Sequence, residues 1–209
     1  KPIALAPWLL AFVAFPPIRR PLLLGIVPFL LLGLVNPDFH YAIERWGRCT
    51  AKIIHSYTPE NLRVSDLFGM LEKAGVPNIF PVNSLTRAIA CILALAYVTA
   101  SRWRRGNVAG SWALWVATAL VFTVFNPRAE TNSYVLISPL MAFSAISYCR
   151  EVKGGVLPAV LLAFACVGLM CDGMGLWIYK FTDVWLKPLI VIVISPLLFR
   201  VPDGWSKKI

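Results

Sequence analysis

The sequence predicts an all-α polytopic membrane protein, a transmembrane bundle of about seven hydrophobic segments. Two observations lead to this prediction. The chain is 58% hydrophobic and 14% charged, with a mean hydropathy of +0.71, whereas a soluble domain is nearer half apolar and a quarter charged. Its apolar residues also fall into blocks separated by short polar stretches, which is the pattern of several membrane spans. We therefore expect one transmembrane domain over residues 1–209.

The first two predicted segments, Ile3–Phe15 and Pro21–Val35, are short against the roughly 20 residues that cross a bilayer core. Such a pair suits a tilted hairpin or a re-entrant element shielded by protein. The opening Lys1-Pro2, without an initiator Met, suggests a fragment of a longer chain. Five further segments follow: Ala88–Ala100, Val108–Phe125, Val135–Tyr148, Gly155–Met170 (an extension to Trp177 stays open) and Leu186–Phe199.

A long loop, residues 36–85, is predicted to lie outside the membrane and to carry interfacial helices. Between Phe39 and Tyr57 the apolar residues recur at three- and four-residue steps, while basic residues occupy the other face, which favours an amphipathic helix. Such a helix lies in the membrane interface as an anchor or, alternatively, forms a ligand site. A second short helix is expected after an N-cap at Ser65 and before Gly75, followed by an irregular stretch, Pro77–Leu85.

The net charge of +10 indicates membrane orientation and lipid contact, not nucleic-acid binding. The basic residues cluster at the ends of apolar runs, as they do on the cytoplasmic side of membrane spans, and they attract anionic lipids. Clusters in short loops place residues 16–20, 101–107, 149–154 and 200–209 in the cytoplasm. The expected location is the cytoplasmic (inner) membrane, with the long loop and the 126–134 loop on the external face.

The 126–134 loop is the strongest candidate for a functional site. It contains Asn126, Arg128, Glu130, Asn132 and Tyr134 between two apolar segments, and such polar groups are costly beside a bilayer unless they face water or a partner. Cysteine and histidine spacing indicates no metal site, and no phosphate loop or hydrolase motif occurs. No cofactor is expected, although a divalent metal is not excluded.

Several short motifs together resemble the C-terminal half of a GT-C type integral-membrane glycosyltransferase, closest to the bacterial polyprenyl-phosphate-dependent mannosyltransferase-like family. These motifs are Lys1-Pro2 with the Arg19-Arg20 turn, the amphipathic stretch with Trp46, Asn83-Ser84-Leu85 before a span, and the 126–134 loop. The resemblance covers nearly the whole chain and implies a hexosyltransferase. Its donor would be a sugar on a polyprenyl phosphate, and its acceptor a lipid or glycan on the external face. The family's general base usually lies in a first external loop that is not part of these residues.

Residue chemistry suggests roles for the candidates. Arg128, and after it Lys1, would stabilise the negative charge that builds on the departing phosphate. Glu130 would accept a hydrogen bond from the acceptor hydroxyl or act as the base. Asn126, Asn132 and Tyr134 would hold sugar hydroxyls, and Asn83 and Ser84 are weaker candidates on the same face.

Other interpretations remain open from the sequence alone. Arg128 and Glu130 would simply pair at the membrane surface if the loop were structural, with Asn126-Pro127 as a turn and Asn132 as part of a helix cap. A lipid or solute transporter would place polar groups along a pathway. A non-catalytic scaffold subunit would show only pairwise polar contacts and no shared cavity.

Overall fold

The computed structural model describes residues 5–31, 38–54, 65–76, 80–126, 129, 131–170, 175–182 and 184–201. These residues are overwhelmingly helical and contain no strand, which confirms the all-α class. The chain divides into two compact units, Lys1–Asn61 and Leu62–Ile209, where the sequence predicted a single domain.

In the first unit, the two leading helices form a bent pair. Helix α1 is Leu5–Ala14, a 3-10 turn covers Pro16–Ile18, and α2 is Arg19–Leu31. The two apolar helices meet at an angle of 116°. Arg19 stabilises the bend, because its Nε donates to the carbonyl of Phe12 at 2.8 Å and so satisfies an acceptor at the end of α1. This geometry agrees with the predicted hairpin or re-entrant pair.

Helix α3, Phe39–Ile54, is the amphipathic helix that the long loop was predicted to contain. Asp38 caps its start by accepting a hydrogen bond from the Tyr41 amide at 3.0 Å. Arg45 lies over the Tyr41 ring, with its guanidinium carbon 4.8 Å from the ring centre. Ile43 and Trp46 are exposed in this unit, as are Glu44 and Arg45 on the same helix.

In the second unit, helix α4 is Leu67–Lys73 and helix α5 is Phe80–Val124. The irregular stretch predicted over Pro77–Leu85 is wrong from Phe80 onward, because Pro81 lies in the first helical turn, where a missing N–H costs nothing. Among the described residues, Val82–Val124 is the one helix both long and apolar enough to cross a membrane, and two bent helix pairs would raise the total to three. The predicted count of seven spans is not established by these lengths.

Helix α5 is a hairpin of two arms, because the chain reverses at Gly106. Gly106 has φ 86° and ψ −179°, a conformation that is essentially restricted to glycine. Gly110 then lies directly against Arg102, so that a Cβ on Gly110 would come within 2.6 Å of the Arg102 Cβ. In a straight helix these residues would be about 12 Å apart. The reversal agrees with the loop predicted at residues 101–107.

The rest of the second unit packs against the second arm of α5. After a 3-10 segment, Thr131–Ile137, come α6 (Ser138–Glu151), α7 (Val156–Leu169), α8 (Leu176–Thr182) and α9 (Leu186–Leu198). Helix α7 ends at Leu169, so the open extension to Trp177 is wrong, and Trp177 belongs to α8. A buried core joins the second arm, the 3-10 segment, α6, α7 and α9, with Trp112, Ile137, Leu140, Leu162 and Val191 at its centre.

The second unit has one strongly basic end, formed around Gly106. The Trp112 indole donates to the carbonyl of Leu198 at 3.1 Å, and Arg200 lies 5.5 Å from the centre of the Tyr148 ring. The turn at Gly106, the end of α6 and the end of α9 are therefore neighbours. Among the described residues this end gathers Arg102, Arg104, Arg105, Arg150, Lys153 and Arg200 against the single acid Glu151.

Candidate functional site

The opposite end of the α5 hairpin holds a latch centred on Arg87. Its Nη2 donates to Asp66 Oδ2 at 2.9 Å, and its Nε donates to the carbonyl of Phe125 at 3.0 Å. Its guanidinium carbon also lies 4.7 Å from the centre of the Phe68 ring. One side chain therefore joins α4, the first arm of α5 and the end of the second arm.

Asp66 is the acidic half of this latch and also the N-cap of α4. Its Oδ1 accepts a hydrogen bond from the Gly69 amide at 2.8 Å, which corrects the predicted cap, Ser65, by one residue. The carboxylate side chain is only 2% exposed. Burial raises the pKa of Asp66, and the Gly69 amide and Arg87 oppose that rise.

Tyr134 ties the 126–134 loop to the same place. Its hydroxyl lies 2.6 Å from the carbonyl oxygen of Ser65 and 2.9 Å from that of Thr123, so its single proton is shared between two backbone acceptors. The residue is 1% exposed, and burial raises the pKa of its phenol. The predicted role of holding a sugar hydroxyl is not supported, because this hydroxyl is committed to protein carbonyls.

Ala129 is the second attachment point of the loop. Its carbonyl accepts from the Ser65 amide at 3.0 Å, and its own amide donates to the carbonyl of Asn126 at 3.0 Å. Ala129 is 1% exposed and lies in sequence between Arg128 and Glu130. The loop is thus held at Ala129 and again at Tyr134 by backbone groups beside Asp66.

Of the remaining predicted site residues, some are described by the structure and the others lie partly or wholly outside the described residues. Asn83 is buried, one helical turn before Arg87 on the same arm, while Ser84 is exposed and Asn126 is partly buried. The backbone of Asn132 belongs to the 3-10 segment, but its side chain lies outside the described residues. Outside them entirely lie Lys1, Arg128 and Glu130.

Neither residue of the latch carries a strong signal in the sequence. Asp66 stands in a loop beside Ser65, an equally good capping residue, and the position of Arg87 is that of an ordinary basic residue at the start of a span. The one local signal is that Asp66 directly precedes the apolar pair Leu67 and Phe68, as an N-cap does. Their pairing across 21 residues depends on the tertiary fold.

The chemistry of the latch is structural. Both carboxylate oxygens of Asp66 already accept hydrogen bonds, and two donors of Arg87 are used on protein groups. These contacts tie both side chains to neighbouring protein groups, which is the pattern of a structural ion pair. The latch holds the start of α4 beside the end of the hairpin, and Ser65, the residue before Asp66, bonds to Ala129 and Tyr134 of the 126–134 loop.

No protein-family model, curated protein or solved structure matches this chain.

Proposed function

We propose that this chain forms the membrane-embedded part of a glycosyltransferase of the cytoplasmic (inner) membrane. It would move a hexose from a polyprenyl-phosphate donor to a lipid or glycan acceptor on the external face. The proposal rests on the motif resemblance, and it includes the seven-segment, multi-pass arrangement predicted from the sequence.

The structural observation that supports the proposal is the fixed attachment of the polar loop. Ala129 and Tyr134 are both bonded to Ser65, so the residues between them belong to a loop held at two points. Catalytic electrostatics works best when charged groups are already oriented before the substrate arrives. A loop that carries Glu130 between these two attachments, with Arg128 directly before the first, is suited to that task.

The end of the unit at which the loop is attached also supports the proposal. The latch lies at the end of the hairpin opposite the six cations around Gly106. By the positive-inside rule, the cation-rich end faces the cytoplasm. The loop then faces outward, the side on which a polyprenyl-phosphate sugar is used in the family that the chain resembles.

In the proposed reaction, the acceptor oxygen attacks the anomeric carbon of the sugar while the bond to the lipid phosphate breaks. The lipid phosphate leaves with the bonding electron pair, and the Arg128 guanidinium stabilises its charge. Glu130 orients the acceptor hydroxyl or takes its proton. Asn126 and Asn132 offer amide groups to the sugar.

The test is sugar transfer by the full-length protein in membranes, from labelled polyprenyl-phosphate sugars to extracted lipids. Arg128→Ala and Glu130→Gln are compared with the matched controls Arg104→Ala and Glu72→Gln, both at exposed positions. We expect Arg128→Ala to lower turnover by at least about 100-fold, the usual cost of losing one charge-stabilising donor. Glu130→Gln should lower it strongly as well, and the controls should stay within about twofold of wild type.

Unchanged transfer in both loop variants would contradict the site assignment. Equal losses of transfer in the loop variants and the control variants would show that the substitutions impair the protein generally and do not identify a site. Absence of transfer by wild type with hexose donors of several chain lengths would argue against the enzyme, and would favour the structural interpretation of the loop.

A further inference from the structure

A second feature of the latch end is a cleft between α4 and the α8–α9 pair, with a volume of about 540 Å³. Its apolar lining includes Met70 and Leu71 of α4 and Leu189 of α9. Two cations, Lys73 and Lys180, line the same cleft, together with Trp185. We call it the α4–α9 cleft.

Both lysines are available for a ligand. Lys73 and Lys180 are exposed, and among the described residues neither forms an ion pair with a carboxylate. Each lies in the last turn of its helix, and both line the same cleft. Two like charges on one cleft favour an anionic occupant.

The other residues that line the cleft are mostly apolar, which favours an occupant with a hydrocarbon part. Leu189 is 39% exposed and Phe181 is 68% exposed, so the apolar lining is open to its surroundings. Trp185 packs edge-on against the Phe181 ring at 5.8 Å, and its indole N–H donates to the Phe181 carbonyl at 2.8 Å. Tryptophan at a helix end is typical of the headgroup level of a membrane.

We propose that the α4–α9 cleft binds one anionic phospholipid. The phosphate lies between Lys73 and Lys180, and an acyl chain follows Met70, Leu71 and Leu189. An acidic soluble ligand would leave this apolar lining exposed, and a neutral lipid would gain nothing from the two cations. The proposal does not depend on the glycosyltransferase activity.

The test is lipid retention by the full-length protein in detergent, measured by native mass spectrometry over a phosphatidylglycerol titration. The variant Lys73→Gln/Lys180→Gln is compared with Arg104→Gln/Lys153→Gln, which loses the same charge at exposed positions of the basic end. We expect the cleft variant to bind roughly 30-fold more weakly, at about 1 kcal/mol per lysine. The control variant should retain the tightest-bound lipid as wild type does.

A further variant, Leu189→Trp, fills the apolar lining without changing charge and should also weaken retention of the lipid. Melting temperatures within a few degrees of wild type would show that each variant is folded. The proposal is overturned if the cleft and control variants lose affinity equally, or if Leu189→Trp binds as wild type does. It is also overturned if phosphatidylcholine binds equally well, or if inorganic phosphate displaces the lipid at equal concentration.

Discussion

Arg87 and Phe125 are 38 residues apart in sequence, yet the Arg87 Nε lies 3.0 Å from the Phe125 carbonyl oxygen. Gly106 is midway between them, so each arm of the hairpin has about 19 residues and rises about 28 Å. That rise matches a bilayer core of about 30 Å. The 43-residue helix Val82–Val124 is therefore two arms, each about as long as a bilayer core is thick. Arg87 joins the ends of the two arms that lie away from Gly106.

Removing Arg87 should destabilise the protein more than removing both members of its ion pair. Arg87→Met leaves the Asp66 carboxylate buried without its cation, which typically costs about 3–5 kcal/mol. Since Arg87 is 20% exposed, we expect the lower part of that range. In the double variant, Asp66→Asn removes the charge, and the amide oxygen can still cap α4.

The measurement is a double-mutant cycle by thermal or denaturant unfolding in detergent, with Arg104→Met as the exposed control. We expect a smaller loss for Asp66→Asn/Arg87→Met than for Arg87→Met alone. Additive losses would contradict a direct coupling between the two residues.

The latch should also give stability a specific pH dependence. Burial raises the pKa of Asp66 from its ordinary value, so the folded state holds this proton more tightly than the unfolded state does. The resulting stabilisation is full below the ordinary aspartate pKa and is lost as pH rises through the raised pKa. The melting temperature of wild type minus that of Asp66→Asn should therefore increase as pH is lowered from 7 toward 4. A difference that decreases over this range would show that Arg87 and Gly69 outweigh burial.

Tyr134→Phe should loosen the 126–134 loop while leaving the fold intact. The change removes a buried hydroxyl that donates to the Ser65 and Thr123 carbonyls, at a cost of about 1–3 kcal/mol. Hydrogen exchange should rise over residues 126–137 and at Ser65. Tyr41→Phe, at an exposed position in α3, is the matched control. Unchanged exchange in the loop would mean that Ala129 alone holds it.

The helical class and most helix positions could be predicted because hydropathy and three- to four-residue periodicity are local properties. Helix α3 and the break near Gly106 follow from such patterns. The latch could not be predicted, because the partners Asp66 and Arg87 come together only after the hairpin has formed. Tyr134 could not be assigned for the same reason. A tyrosine in a polar loop is compatible with a sugar contact, whereas its burial and its bond to Thr123 arise only from tertiary packing.

Glycine-to-alanine substitutions should distinguish positions where the backbone conformation or a close contact requires glycine from a position where it does not. Gly106→Ala places a Cβ in a glycine-only conformation and should cost about 1–3 kcal/mol. Gly110→Ala should destabilise through its contact with Arg102. Gly47→Ala is the control, since no atom lies within 4 Å of its added Cβ, and alanine favours the helix. The measurement is the melting temperature of each variant, which should fall for Gly106→Ala and Gly110→Ala and should not fall for Gly47→Ala. A Gly106→Ala variant that melts at the same temperature as wild type would contradict the reversal at Gly106.

The hairpin makes a prediction about membrane sidedness that does not require any enzyme activity. Arg104 lies beside the turn and Glu72 lies in α4 beside the latch, and both are exposed. If each arm of about 28 Å crosses the bilayer, these positions face opposite compartments.

We would replace the five native cysteines, introduce Arg104→Cys or Glu72→Cys, and apply a membrane-impermeant maleimide to intact spheroplasts. Because cations concentrate around Arg104, the positive-inside rule assigns that end to the cytoplasm. Glu72→Cys should therefore be labelled from outside, and Arg104→Cys only after permeabilisation. The opposite result would reverse the orientation, whereas labelling of both positions from outside would show that the hairpin does not cross the membrane.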